Sequence, residues 1–255
     1  MAKPSPSAVA ARIKKELRTL GKPAVAESMR RFFKSSERVR FIGVKTPDMR
    51  KVARGVYNDV KKVWGLEDAL ALGDMLLRDA HIEARACGLA VLARFKKLFA
   101  PSMLPTMRGW IESGRLDNWA LVDHICMEVF HPLIQSHPAI VKKTSKWASH
   151  RSLWMRRASV VCLCKAARKG EHLDAAYAVA AELLGDSEDL MHKAVGWLLR
   201  DAGDADQKRL RAFLLEHGPA IPRTAVRYAL EHFPEPERKR LLARTRGDHV
   251  RARRR

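Results

Sequence analysis

Helical periodicity, interrupted at intervals by proline or glycine, constrains this chain more than any other feature. Almost every segment places alanine and leucine at helical spacing, and no turn dipeptide separates two alternating stretches as in a β-hairpin. The sequence therefore predicts an all-α fold. Breaks between helices are expected near Gly73, Pro101 to Pro105, Pro132 to Pro138, Gly170, Gly203, Pro219 to Pro222 and Pro234 to Pro236.

The apolar segments recur with a roughly constant period. They begin near Glu83, Asn118, Leu153, Leu190 and Pro222. Their polar landmarks Arg85, Asp123, Arg157, Lys193 and Thr224 lie 38, 34, 36 and 31 residues apart. Periods of about 35 to 45 residues with two helices per unit are typical of HEAT-like solenoids. We therefore expect one HEAT-like α-solenoid domain over residues 1–237, with equivalent helices lining a concave basic surface that can hold a long ligand.

The charge balance indicates a polyanionic partner. Lysine and arginine total 49 against 28 aspartate and glutamate residues, which gives a formal net charge of +21. Such an excess favours the phosphate backbone of nucleic acid first and an anionic membrane surface second. Half of residues 238–255 are basic, and the final RARRR has no apolar face. We expect this segment to be a disordered tail that tethers nucleic acid electrostatically.

Cysteine usage and hydropathy indicate an intracellular compartment. Cys87, Cys126, Cys162 and Cys164 lie in apolar helical segments without paired CxxC spacing, which favours buried free thiols. The alternative, a metal held by Cys162 and Cys164, is disfavoured because residues two apart on a helix point away from each other. No stretch approaches the roughly 18 apolar residues of a membrane span. The expectation is a cytoplasmic, nucleoid-associated protein that does not bind membranes.

Motifs for common cofactors are missing from the sequence. It contains no GxxxxGK[ST], GxGxxG, HExxH or GxSxG pattern. The ten histidines are scattered, and we interpret His124 and His192 as solvated or hydrogen-bonded rather than metal-binding. We therefore expect no cofactor and no metal site.

Aromatic and charged residues recur together on successive predicted helices. Trp119 and Asp123 are four residues apart, so both lie on one helix face. The next two helices carry similar stripes, formed by Trp154 and Arg157 and then by Lys193, Trp197 and Arg200. The alternative is structural, because tryptophan at helical spacing usually belongs to the core and solenoids use charged side chains as a ladder between repeats. Trp64, Trp110 and Trp147 are assigned to the core.

Four motifs resemble one family. They are FIGVKTPDMR at 41–50, the WxxxD pattern at 119–123, LWMRR at 153–157 and KAVGWLLR at 193–200. In this order and spacing they resemble the AlkD-like DNA alkylation repair glycosylases, and the likeness extends from Val25 to Phe233. The resemblance implies a HEAT-like all-α solenoid that removes cationic N3- and N7-alkylated purines, such as 3-methyladenine and 7-methylguanine, from duplex DNA. It also implies that the lesion is not flipped into a pocket.

The resemblance also assigns roles by position. It implies that Asp123 is the catalytic carboxylate, that Trp119 and Trp197 are the active-site tryptophans and that Arg157 grips DNA beside the lesion. One position departs from the family pattern, because Asn118 stands where the family often has another tryptophan. This change is expected to alter packing or lesion preference while leaving the catalytic set complete.

Further basic residues are candidates for phosphate contacts. A solvated helix face is the alternative interpretation for each of Lys45, Arg50, Arg156, Lys193 and Arg200. The helix expected to start with Thr46 as its N-cap and Pro47 in its first turn could also present backbone N–H groups to a phosphate.

The leading hypothesis is a monofunctional alkylpurine DNA glycosylase of base excision repair, since no lysine is singled out as a Schiff-base nucleophile. We expect it to act as a monomer on double-stranded DNA. A second hypothesis is a non-catalytic HEAT-repeat protein that recognises bent or branched DNA. A third is a scaffold whose basic surface binds an acidic protein. The joint presence of Trp119, Asp123, Arg157 and Trp197 favours the first.

Overall fold

Local capping signals set the start of several helices. The computed structural model describes residues 3–35 and 37–246 of the chain. The first helix starts where the Ser5 hydroxyl accepts a hydrogen bond from the backbone N–H of Ala8 at 3.2 Å, and Pro6 occupies its first turn. Proline also stands in the first turn of the helices that begin at Pro23 and Thr46. Because proline lacks the N–H that this position leaves unpaired, it favours a helix start there.

The described residues form α-helices joined by short turns and 3-10 segments, with no β-strand among them. The helices that begin before residue 138 are α1 (Pro6–Leu20), α2 (Pro23–Arg30), α3 (Thr46–Val60), α4 (Leu66–Leu76), α5 (Ile82–Leu92), α6 (Leu104–Glu112), α7 (Trp119–Ile125) and α8 (His131–Ser136). Those that follow are α9 (Val141–Ser145), α10 (Leu153–Arg168), α11 (Leu173–Glu182), α12 (Asp189–Ala205), α13 (Gln207–His217), α14 (Arg223–Ala229) and α15 (Glu235–Arg244).

The chain divides into two compact units, the first ending at His137 and the second beginning at Pro138. In the first unit α5 is the central helix, since it packs against α1, α3, α4 and α7. It is apolar around most of its circumference, and nine of its eleven residues are buried. This packing brings α3 and α7, which carry candidate site residues, against the same buried helix.

The second unit shows the two-layer packing of a helical repeat. Helix α12 lies between α10 and α14 and packs against both, while α11 packs against α10 and α12, and α13 packs against α12 and α15. The apolar segments predicted to begin near Leu153, Leu190 and Pro222 are the helices α10, α12 and α14. The all-α helical-repeat fold is therefore confirmed. One continuous HEAT-like solenoid over residues 1–237 stays a prediction.

Two of the predicted helix breaks fall a few residues after the glycines concerned, which themselves lie inside helices, since α4 ends at Leu76 and α12 ends at Ala205. Gly73 belongs to α4 and Gly203 belongs to α12. A Cβ atom at Gly73 would lie 3.2 Å from the Trp110 ring, and one at Gly203 would overlap the side chain of Leu210. At both positions glycine therefore serves close packing rather than helix termination.

The proline at 132 does not end a helix either. The backbone continues from α7 through a π turn at Cys126–Phe130 directly into α8, which contains Pro132 and ends at Ser136. In a regular α-helix the Pro132 ring would clash with the carbonyl four residues earlier. The wider π turn accommodates the proline within a continuous helical run.

The predicted start of the basic tail is also corrected. Helix α15 runs to Arg244, so residues 238–244 are helical rather than disordered. Its Leu241 is buried, and the Arg223 guanidinium donates hydrogen bonds to the Thr245 hydroxyl and the Leu242 carbonyl, both at 2.9 Å. Apolar contact and these bonds hold the segment in place. The remainder of the predicted tail, residues 247–255, lies outside the described residues.

The core contains the residues that the sequence assigns to it. Trp64, Trp110 and Trp147 are buried, as predicted. All four cysteines are buried free thiols, and burial raises the pKa of Cys87 and of Cys162 to about 12. Within residues 3–35 and 37–246, no helix combines the length and the apolar character needed to cross a bilayer.

Candidate functional site

Helix α7 carries Trp119 and Asp123, and its start is fixed by Asn118. The Asn118 side-chain oxygen accepts a hydrogen bond from the backbone N–H of Leu121 at 3.1 Å, and its amide nitrogen donates to Asp117 at 3.0 Å. Asn118 is only 1% exposed. Asparagine is a favoured N-cap residue because it satisfies an unpaired amide of the first turn. The departure from the family pattern therefore has a structural role at the start of the candidate catalytic helix.

An aromatic stack holds Trp119 in place. Its ring lies parallel to that of Phe33, with centroids 5.2 Å apart and an interplanar angle of 24°. Phe33 in turn packs at 5.4 Å against Phe41 in a tilted arrangement. Trp119 and Asp123 are both partly exposed on α7, one helical turn apart. An aromatic face and a carboxylate therefore share one accessible face of the first unit.

The segment that follows Phe41 is held by a buried carboxylate. Glu83 on α5 is 3% exposed and accepts hydrogen bonds from the backbone N–H groups of Ile42 at 3.0 Å, Gly43 at 2.7 Å and Val44 at 3.2 Å. Three N–H donors offset the cost of burying this carboxyl group, and the group fixes the backbone in return. Glu83 thus positions the segment that presents Phe41 to the stack. Sequence reasoning used Glu83 only as the start of an apolar segment and missed this role.

Helix α3 begins one residue earlier than predicted, because its N-cap is Lys45 and Thr46 is its first residue. The N-cap role predicted for Thr46 is therefore wrong, although Pro47 and Asp48 do lie in the first turn. The backbone N–H groups of Asp48 and Met49 both donate to the Lys45 carbonyl at 3.0 Å. Since proline has no N–H, this start offers little to a phosphate through its backbone.

The start of α3 offers exposed basic side chains to a phosphate instead of backbone N–H groups. Lys45, Thr46 and Arg50 are all exposed at its amino-terminal end. Thr46 and Arg50 also border an apolar pocket of about 170 Å³, which α5 and α7 complete with Ile82 and Leu121 among other residues. The predicted phosphate contacts of α3 therefore lie beside the helix that carries Asp123.

The second unit contains Arg157, which is 5% exposed on α10. Its guanidinium donates a hydrogen bond at 2.7 Å to the carbonyl of Leu190 in the first turn of α12. The neighbouring Arg156 forms an ion pair with Asp186 at 2.6 Å and donates to the carbonyls of His150 and Arg151. Both arginines thus join one repeat to the next, as the structural interpretation of the sequence expected.

The stripe on α12 is also tied to neighbouring side chains. Lys193 pairs with Asp189 at 2.8 Å, and this bond raises the pKa of the ammonium group. Arg200 forms ion pairs with Glu231 and, at 3.5 Å, with Asp201. The Trp197 indole N–H donates to Asp201 at 3.0 Å. Trp197 is partly exposed, so its ring orientation is fixed while part of its surface stays accessible.

Asp201 is 2% exposed, and burial raises its carboxyl pKa above the ordinary 3.8 despite Arg168, Arg200 and Trp197, which favour the ionised form. Because the pKa of this carboxyl is higher in the folded protein than in the unfolded chain, the group stabilises the fold below pH 3.8. This stabilisation is lost as the pH rises through the folded-state pKa. We expect the free energy of unfolding of wild type relative to Asp201→Asn to fall over that window.

Urea unfolding of both proteins between about pH 3.5 and 6 measures this difference. The matched control is Asp174→Asn, which alters a carboxylate that is 96% exposed, and its difference from wild type should not follow the same course. A carboxyl resonance of Asp201 that titrates at or below the ordinary value would contradict the prediction.

Comparison with known proteins identifies the class. Residues 13–233 match the family model of DNA alkylation repair enzymes. This match covers most of the chain, so the protein belongs to that family. It is therefore an enzyme of DNA alkylation repair, with DNA as its partner.

A solved structure described as a predicted DNA alkylation repair enzyme from Enterococcus faecalis has the same fold. It superimposes with a TM-score of 0.74, covering 84% of this chain and 97% of its own, at 13% sequence identity. At this identity the likeness is one of fold. No curated protein matches the chain.

Proposed function

We propose that this protein is a monofunctional DNA glycosylase that hydrolyses the N-glycosidic bond of cationic N3- and N7-alkylated purines in duplex DNA. The observation that carries the proposal is the pairing of Trp119 and Asp123 on one accessible face of α7, with Trp119 held by the stack on Phe33. Membership of the alkylation repair family supports the proposal, because it makes DNA the partner of this enzyme.

The chemistry needs few groups because the substrate carries its own charge. When the bond between C1′ and an alkylated purine breaks, the electron pair moves to the ring nitrogen and neutralises the cationic base. No acid has to protonate the leaving group, in contrast to ordinary glycosidases with two carboxylates. Positive charge develops on the sugar, where a carboxylate stabilises it. We assign this role to Asp123, which also orients the attacking water.

The aromatic residues complete this proposal. The faces of Trp119 and Trp197 would contact the cationic sugar and base, and each cation–π contact is worth roughly 0.5 to 2 kcal/mol. Arg157 is assigned to the DNA backbone beside the lesion.

The exposed basic residues of α3 are assigned to phosphate contacts more readily than those of the second unit. Lys45 and Arg50 are exposed, and no ion pair to either occurs within the described part of the chain. Arg156 and Arg200 already pair with carboxylates, and Lys193 pairs with Asp189. A phosphate would have to replace these partners.

We further propose HEAT-type stacking of the repeats, action as a monomer and a place in the bacterial cytoplasm at the nucleoid.

The exposed Lys45 and Arg50 also suit a second candidate, a non-catalytic protein that binds bent or branched DNA. Base release distinguishes the two functions. We expect wild type to release 7-methylguanine and 3-methyladenine from methylated duplex DNA, measured by chromatography of the free bases. Normal binding of the same duplex without base release would reject the glycosylase and leave the second candidate.

A further inference from the structure

A second pocket of the first unit carries four guanidinium groups. It has a volume of about 310 Å³, and its lining contains none of the candidate residues of α3 and α7. We call it the arginine pocket, and its charged lining consists of Arg38, Arg40, Arg85 and Arg115 with Asp79 and Asp117. Nothing in the proposed reaction uses these residues.

Arg85 gives the pocket an unmet hydrogen-bond donor. The residue is 8% exposed, and its Nη2 donates to Asp117 at 2.7 Å and to the carbonyl of Arg115. Its Nε is buried, yet no acceptor for this N–H occurs within residues 3–35 and 37–246. Buried polar groups in folded proteins nearly always have a partner. Arg85 lines the pocket, so a shift of its guanidinium toward a bound anion would give this N–H an acceptor.

The two carboxylates in the lining are already neutralised. Asp117 accepts hydrogen bonds from Arg85 and from the Asn118 side chain. Asp79 pairs with Lys14 at 3.0 Å and accepts from the backbone and the ring of His81. Although burial opposes it, these bonds lower the pKa of Asp79, so its charge is balanced within the protein. Neither carboxylate is left to repel an anion.

Arg38 and Arg40 provide positive charge that the fold does not use. Both are exposed, and among the described residues neither forms an ion pair. The backbone of Arg40 is fixed, since its carbonyl accepts a hydrogen bond from the N–H of Ile82 at 3.0 Å and it forms an isolated bridge with His81. The pocket therefore presents two unpaired guanidinium groups beside the unmet donor of Arg85.

We propose that the arginine pocket binds a phosphate group of the DNA backbone. Guanidinium groups match the geometry of phosphate oxygens, and their hydrogen bonds to such an anion are charge-assisted. We take DNA as the source of the phosphate group because DNA is the substrate under the proposed function. This choice does not depend on glycosylase chemistry. The pocket adjoins the α7 site, since Asp117 precedes the N-cap of α7 and Arg40 precedes Phe41. A phosphate held here would set the register of the duplex on the first unit.

The Nε–H resonance of Arg85 provides a direct test in the full-length protein. Undamaged duplex DNA and inorganic phosphate are added in separate titrations to protein labelled with ¹⁵N at arginine. We expect the Arg85 signal to shift when enough DNA is added to saturate the protein. An acidic peptide is added in a third titration. A shift with inorganic phosphate but not with DNA would overturn the assignment to the DNA backbone, and so would a shift with the acidic peptide alone.

A double variant, Arg38→Gln with Arg40→Gln, tests the same site through affinity. Both side chains are exposed, so the fold should survive the change. We expect binding to undamaged duplex to weaken roughly tenfold and the slope of log affinity against log salt to decrease by about one. The matched control is Arg12→Gln with Arg108→Gln, which also removes two exposed charges of the same unit, paired with Asp59 and Glu112.

The results separate this proposal from the proposed function. If the Arg38→Gln, Arg40→Gln variant binds with the affinity and salt slope of the Arg12→Gln, Arg108→Gln control and the Arg85 signal stays in place, the arginine pocket is not a DNA site. In that case, release of methylated bases by wild type would still support the proposed glycosylase function. Conversely, a DNA-dependent shift of Arg85 in a protein that releases no base would support the pocket and reject the glycosylase.

Discussion

Asp123→Asn is expected to lower the rate of 7-methylguanine release from methylated duplex DNA about 1,000-fold. A carboxylate about 4 Å from a developing sugar cation, at an effective dielectric constant near 20, stabilises it by roughly 4 kcal/mol, and each 1.36 kcal/mol changes the rate tenfold. Asparagine keeps the shape of the side chain and removes the charge. The measurement is single-turnover base release, with the affinity for undamaged duplex measured in parallel to show that binding is retained.

The control for this substitution is Asp59→Asn. Asp59 lies near the end of α3 in the same unit and pairs with Arg12 at 2.9 Å on the surface, so the two variants change net charge identically. We expect the control to release 7-methylguanine at the wild-type rate. Equal rates for wild type and Asp123→Asn would remove Asp123 from the reaction. Equal losses in both variants would assign the effect to net charge.

Gly43→Ala is expected to destabilise the first unit by about 3 kcal/mol or more. Gly43 has a φ of +90°, which side chains rarely tolerate, and a Cβ atom there would overlap the carbonyl oxygen of Lys22. Backbone strain alone costs about 1 to 3 kcal/mol, and the overlap adds to it. Relief requires movement away from Glu83 and the Phe41 contact, so base release should fall with stability.

Gly55→Ala is the matched control, because it makes the same substitution inside α3 where no atom lies within 4 Å of the new methyl group. Alanine in a helix interior is favoured over glycine by roughly 0.5 to 1 kcal/mol, so this variant should be slightly more stable than wild type. Urea unfolding compares the three proteins. A midpoint for Gly43→Ala at or above that of wild type would contradict the account of this loop.

Periodicity predicts the helices well because each apolar stripe is a local pattern. The segments starting near Glu83, Asn118 and Leu153 are helices α5, α7 and α10. Gly73 and Gly203 were interpreted as breaks because glycine weakens an isolated helix. Their actual contacts, with Trp110 and Leu210, come from other helices and leave no mark in the local sequence.

The candidate site shows the same division between local and distant information. The spacing of Trp119 and Asp123 places them on one helix face, and this prediction required only helical geometry. The residues that hold them could not be found this way. Phe33 reaches Trp119 across 86 positions and Glu83 reaches Gly43 across 40, so neither contact follows from a periodic pattern. Glu83 is one of only two charged residues of α5, the other being Arg85, and this was the available signal for it.

The charged stripes illustrate how one pattern can serve two purposes. Arg156 and Arg200 lie two and three residues after a tryptophan, in basic segments that suit a nucleic-acid surface as well as a ladder between repeats. The structure gives each a carboxylate partner 30 or 31 residues further along the chain, the separation of one repeat. Sequence alone could not decide between a nucleic-acid surface and a ladder between repeats, because the partners Asp186 and Glu231 lie on neighbouring repeats.

The central claim is that one carboxylate suffices because the leaving base is already cationic. The most direct test measures single-turnover release of two bases from otherwise identical duplexes, cationic 7-methylguanine and neutral hypoxanthine. We expect wild type to release 7-methylguanine and to leave hypoxanthine in place, with Asp123→Asn abolishing the difference. Release of both bases at similar rates would contradict the claim, since a neutral purine needs an acid that the α7 site is not expected to supply.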